Sequence, residues 1–123
     1  MDILLVFTGL LIKHIVADYF VQANFMFSNK HIYGGWGGVL HALIHGIGTA
    51  IVLTPFVSVI TVNFMLFLDA MLHYHIDYVK SNYSIRYPSL PSEQKYWIVH
   101  GIDQLLHVLT YVLIVYLLVE QVA

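Results

Sequence analysis

Histidine and aspartate recur at four-residue spacing in four separate stretches of this chain. His14 is followed by Asp18 and Gln22, His41 by His45, Asp69 by His73 and Asp77, and Asp103 by His107, with His100 and Gln104 nearby. Residues four apart lie on one face of a helix, one turn apart, so each stretch makes a polar stripe. Imidazole and carboxylate together suit divalent transition metals such as zinc, iron or manganese. Cysteine is absent, which removes disulfides, thiolate metal sites and cysteine nucleophiles.

The chemistry expected of these residues is metal binding by one or two ions. His14, Asp18, His41, His45, His73, Asp77, Asp103 and His107 are the candidate ligands, with Asp18, His45, His73 and Asp103 innermost. Gln22, Asp69, His100 and Gln104 would orient them, because ligands need outer partners that fix tautomer and geometry. Asp77 is the candidate general base. A metal-free His/Asp hydrogen-bond network, stabilising the bundle or relaying protons, is the first alternative to a metal ion. A b-type haem held by two histidines ranks behind both. His31 and His75 read as ordinary packed or hydrogen-bonding histidines. Lys13 would snorkel or pair with an acid.

The elements that must position these stripes are apolar. Of 123 residues, 59% are hydrophobic and only 10% charged, against roughly 25% charged in an average soluble domain. So short a soluble chain must cover a large surface with polar groups, and this one lacks them. A net charge of −2 gives no electrostatic footprint for nucleic acid. The class expected is an all-α integral membrane protein, a single four-transmembrane-helix domain over residues 1–123 with spans about 3–27, 38–54, 56–79 and 96–119, each near the roughly 20 residues that cross a bilayer. Lys13, His14 and Asp18 in mid-span, with no basic start or small-residue cleavage site, argue that the first segment is a span and not a signal peptide.

Pro55 makes the tight turn between the second and third spans. The two longer loops then share one side and hold Lys30, Lys80, Arg86 and Lys95. The positive-inside rule puts them in the cytoplasm and both termini outside, in what would be a bacterial inner membrane. Tyr33, Trp36, Tyr83, Tyr87, Tyr96 and Trp97 make an aromatic belt at that interface.

Counted inwards from the loop-side ends of the spans, Asp18, His45, His73 and Asp103 fall within about 5 Å of one level. Gln22, His41, Asp77 and His100 would form a shallower layer, and His14, Asp69 and His107 a deeper one. Charged groups in hydrocarbon cost several kcal/mol each, so the stripes should converge in the bundle interior. Gly46 and Gly48 read as sites of close helix packing. The run Gly34 to Gly38 lacks the strand and the Lys-Ser/Thr pair of a phosphate loop. Ser81, Ser84, Ser89 and Ser92 sit in a loop with no partner pattern of a nucleophile.

The motifs resemble those of an uncharacterised bacterial and phage membrane family, domain of unknown function 3307. They are the opening H-x3-D-[FY]-x2-Q (His14, Asp18, Tyr19, Gln22), H-x3-H (His41, His45), H-x3-D (His73, Asp77) and D-Q-x2-H (Asp103, Gln104, His107). The resemblance runs over nearly the whole chain and implies no particular activity. Asp69, His75 and His100 fall outside its pattern. A looser likeness, resting on helix-borne His-x3-Asp pairs, is to bacterial membrane-bound metal-dependent hydrolases.

The function expected is therefore a membrane-embedded His/Asp metal-binding protein, a hydrolase on a lipid or lipid-linked substrate near the cytoplasmic interface. An oxidative di-iron variant acting on acyl chains is also compatible. The competing expectations are metal or proton transport or sensing, and a small structural or interaction protein with a buried site. Transport would require homo-oligomers to enclose a pathway, because the polar stripes end above His14. The lipid bilayer is the expected partner.

Overall fold

The computed structural model describes residues 1–122, and every regular element among the described residues is helical. α1 (Ile3–Ile15) runs directly into a π-helical turn (Val16–Val21), and the short α2 (Asn24–Asn29) follows. α3 (Trp36–Leu53), α4 (Val59–Arg86) and α5 (Gln94–Val122) complete the chain. Four of these helices are long and apolar enough to cross a membrane: Ile3–Val21, Trp36–Leu53, Val59–Arg86 and Gln94–Gln121.

Local signals explain the starts and stops. The Asp2 carboxylate accepts from the Leu5 N–H (3.1 Å) and caps α1, and the Ser58 hydroxyl accepts from the Thr61 N–H (3.3 Å) and caps α4. Such caps satisfy N–H groups that have no partner inside the helix. The first helix ends at Val21, short of the expected Phe27, because Gln22 and Ala23 are both extended. The apolar residues beyond them fold back as α2, with Met26 buried. At the other boundaries α4 reaches Arg86 and α5 begins at Gln94, so both helices project past the expected ends. Asn82 on the α4 projection donates to the His31 carbonyl (3.1 Å), tying it to the α2–α3 loop.

Two glycines allow close approach. A Cβ on Gly46 would lie 2.7 Å from the Leu66 carbonyl oxygen, so α3 and α4 touch through backbone there. A Cβ on Gly37 would lie 2.4 Å from the Phe25 carbonyl oxygen, so only glycine lets α3 start against α2. Small residues at such crossings are how helices associate in lipid, where burial of apolar surface supplies little drive.

Toward the Pro55 turn the bundle core is apolar: Val6, Leu10, Leu53, Met65, Ile114 and Leu118 are fully buried. The outside is apolar too, with Ile51, Ile60 and Phe67 exposed by 70%, 84% and 65%. A surface of that kind is a liability in water and suits contact with lipid. The remaining interior, toward the two long loops, holds the polar stripes.

Candidate metal centre

Asp18 is the hub of the polar interior, and it sits in the π-turn. Such turns occur singly and often at functional sites, because the wider winding re-aims a side chain. Where the turn unwinds, the Gln22 amide donates to the Asp18 backbone carbonyl (3.3 Å), satisfying an acceptor at the helix end.

From α3, His41 Nε2 and His45 Nε2 lie 3.1 and 3.0 Å from Asp18 Oδ1. From α4, His73 Nε2 lies 3.3 Å from His41 Nε2. These four residues can place their ligand atoms within 4.8 Å of one another. Four atoms bound tetrahedrally at 2.0–2.1 Å stand about 3.3 Å apart, and the three separations of 3.0–3.3 Å are close to that. His41, His45 and His73 are buried, and the Nδ1 atoms of His41 and His73 have no hydrogen-bond partner.

A second group adjoins the first. His107 Nε2 lies 3.2 Å from Asp77 Oδ1, and His73 Nε2 lies 3.3 Å from Asp77 Oδ2. His73, Asp77 and His107 again fall within 4.8 Å of one another. The three imidazoles pack face to face, His45 on His73 at 3.5 Å and His73 on His107 at 4.1 Å between centroids. Through these contacts the two groups share His73 Nε2, and one imidazole nitrogen ligates one ion. Lys30 reaches in from the α2–α3 loop to pair with Asp77 at 2.8 Å. Asp103 stands 3.5 Å from His107 and accepts from the Gln104 amide at 3.1 Å. Of Asp18, Asp77 and Asp103, only Asp77 has an ammonium within ion-pair distance, that of Lys30, and Lys80 lines the same cavity.

His14 belongs to neither group. Its Nε2 faces two acceptors, Gln104 Oε1 (3.1 Å) and Asp18 Oδ2 (3.2 Å), so that nitrogen carries the proton. Its Nδ1 then accepts from the Tyr111 hydroxyl at 2.8 Å. The geometry makes His14 an orienting partner of Asp18, holding Oδ2 while Oδ1 faces the imidazoles. Asp69 lies deeper, against Lys13 (2.5 Å) and the Thr49 hydroxyl (2.6 Å), away from the histidine nitrogens. Lys13 also donates to the His45 carbonyl (3.1 Å) and has its Nζ 3.5 Å from His45 Nδ1. Lys13 thus links Asp69 to His45.

The three expected depth layers merge into one cluster. His41 from the shallow layer meets Asp18, while His14 and His107 from the deep layer reach up to Asp18 and Asp77. One helical turn rises 5.4 Å, which an imidazole side chain can span. His100 stays apart from the ligands and lines, with Gln22 and Gln104, an open cavity of about 380 Å³ on the loop side. Asp18, Asp77 and Asp103 line the same cavity. His75 is exposed and bonds the Met71 carbonyl (2.7 Å) and the Tyr33 hydroxyl (3.2 Å).

Lys30, Thr49 and Tyr111 were not marked by the sequence pattern. Thr49 and Tyr111 each continue a stripe by one more step of four, from His45 and from His107, and that spacing was a usable signal. Lys30 sits in a loop and carried none.

The fold and site define a bundle of four membrane-length helices enclosing a buried His/Asp cluster. Over residues 6–123 the sequence matches the family described as "Protein of unknown function (DUF3307)", and the chain belongs to that family. No curated protein and no solved structure matches it.

Proposed function

We propose that this chain is a single membrane-embedded domain that binds one divalent transition metal, and that it hydrolyses a lipid or lipid-linked substrate. One observation carries the reading: four ligand atoms from three elements converge within 4.8 Å of one another, beside Asp77 and Asp103, and of Asp18, Asp77 and Asp103 only Asp77 has an ammonium within ion-pair distance. Buried carboxylates without counter-charge are strongly unfavourable, and a divalent ion supplies the missing charge. Asp18, His41, His45 and His73 would hold it, with His14, itself held by Gln104 and Tyr111, orienting Asp18. The water that hydrolysis needs would enter as a ligand beyond these four, from the side of the cavity that Asp18 and Asp77 line, and a bound ion would lower its pKa. Asp77 faces that cavity, its carboxylate held between Lys30 and His107, and would take the proton as general base.

The cavity opens on the side that holds Lys30, Lys80, Arg86 and Lys95, which by the positive-inside rule is cytoplasmic, with both termini outside. The apolar core toward Pro55 interrupts polar continuity through the chain, which favours a hydrolase over a transport path. A second reading rests on His45. An ammonium 3.5 Å from Nδ1 keeps that nitrogen unprotonated and the proton on Nε2, facing Asp18. This favours a metal-free hydrogen-bonded network, as a structural or sensing protein would have.

Reconstituted protein, loaded in turn with zinc, manganese or iron, should release headgroups from a panel of ester and phosphoester lipids. Asp77→Asn should lower turnover by about 10²- to 10⁴-fold while keeping the metal. Turnover insensitive to chelator, or equal in Asp77→Asn, would refute the assignment.

A further inference from the structure

The cavity of about 380 Å³ has a chemically mixed lining. Asp18, Asp77 and Asp103 bring carboxylates to it. Lys80, Ser81, Ser84, Ser89 and His100 bring groups that can donate. Among the described residues none of these five side chains makes a hydrogen bond or ion pair, although all are at least half-buried or partly shielded. Donors in a cavity that have no hydrogen-bonded acceptor match a ligand rich in acceptor oxygens. With an ammonium among them, they match an anion.

A second hollow, of about 600 Å³, lies between α4 and α5 on their outer side. Ile76, Val79, Ile98, Ile102 and Leu106 wall it. From Ile98 to Leu106 it follows α5 inward for about 12 Å, and Lys80 and Lys95 stand at its loop-side end. The two hollows share Lys80, Val99 and Asp103. An apolar groove entering the membrane thus joins a donor-lined polar cavity, with an ammonium that has no partner at the junction.

We propose that these joined hollows bind a phosphate-headed lipid, one hydrocarbon chain along the α4–α5 groove and the phosphate at Lys80 and the serine hydroxyls. This names the substrate class of the hydrolase proposed above and rests on that reading for its chemistry. The phosphoester would lie in the cavity that Asp77 lines, within reach of Asp77 and of an ion bound beside Asp18. Binding itself requires only the groove and the donors.

The test uses the full chain in dodecyl maltoside, titrated with dodecyl phosphate, dodecanol and inorganic phosphate. Thermal unfolding is the readout, since a ligand of the folded state raises its stability by mass action. Dodecyl phosphate should stabilise at concentrations at least tenfold below either of the others. Lys80→Met should weaken it at least tenfold, and Lys80→Arg should restore it. Ile102→Trp, which fills the groove, should weaken dodecyl phosphate and leave inorganic phosphate unchanged. Equal responses to dodecyl phosphate and dodecanol, or wild-type binding in Lys80→Met, would overturn the proposal. Inorganic phosphate binding as well as dodecyl phosphate would overturn the groove, leaving a free-phosphate site. Metal content separates the two ideas: lipid binding without metal sinks the hydrolase and keeps this site. Metal retained with no Lys80-dependent binding sinks this site alone.

Discussion

Toward the Pro55 turn the bundle is closed by Val6, Leu10, Leu53, Met65, Ile114 and Leu118, all fully buried and all apolar. Toward the long loops the same four helices enclose His14, His41, His45, His73 and His107 with Asp18, Asp77 and Asp103. The first half needs only van der Waals packing and small residues at crossings, such as Gly46. The second half places costly ionisable groups where apolar ones would also close the bundle. Packing therefore accounts for one half and leaves the polar cluster of the other to be explained.

The comparison is broken most severely at the tier between the halves. Asp69→Leu leaves Lys13 as a buried ammonium without its carboxylate. Removing one partner of a buried pair costs about 3–5 kcal/mol, so chemical unfolding in detergent should show a loss of that size. The double variant Lys13→Met with Asp69→Leu should recover most of it. A single variant as stable as wild type would mean the pair is solvated.

A smaller effect is expected in the apolar half. Leu10→Ala should cost about 2 kcal/mol, the low end for a core truncation, because lipid tails are as apolar as leucine. Its metal content should not change, and a loss of metal there would dissolve the distinction between the halves. The smallest effect belongs to Tyr111→Phe, which removes only the donor to His14 Nδ1. Stability should fall by about 0.6 kcal/mol. Metal affinity should drop about 10- to 100-fold, as for other outer partners of a ligand, and equilibrium dialysis would read it. An unchanged affinity would detach His14 from the orientation of Asp18.

Much of this was legible in the sequence. Low charge and four long apolar stretches led to four membrane-length helices, and His/Asp spacing of four led to residues that do meet, such as Asp18 with His41 and His45. The break at Gln22 was not legible, because Phe25, Met26 and Phe27 are as apolar as a continuing span. Nor were the partners of each aspartate. Depth along a helix does not fix rotation about it, so Asp69 went with Lys13 and Thr49 while Asp77 went with His107 and Lys30. His14 shows the same limit: spacing marked it as polar and inward, and only its two acceptors revealed that it holds Asp18 instead of offering a ligand atom.

Plasma mass spectrometry on detergent-purified wild type, Asp18→Asn and His41→Ala, with an absorption spectrum of each, bears directly on the cluster. About one equivalent of zinc, iron or manganese in wild type, lost in both variants while the helices stay folded, is the predicted result. Wild type without metal after purification and reloading, or both variants retaining it, would contradict the metal centre and leave a hydrogen-bonded polar network. A Soret band would contradict it too, in favour of haem.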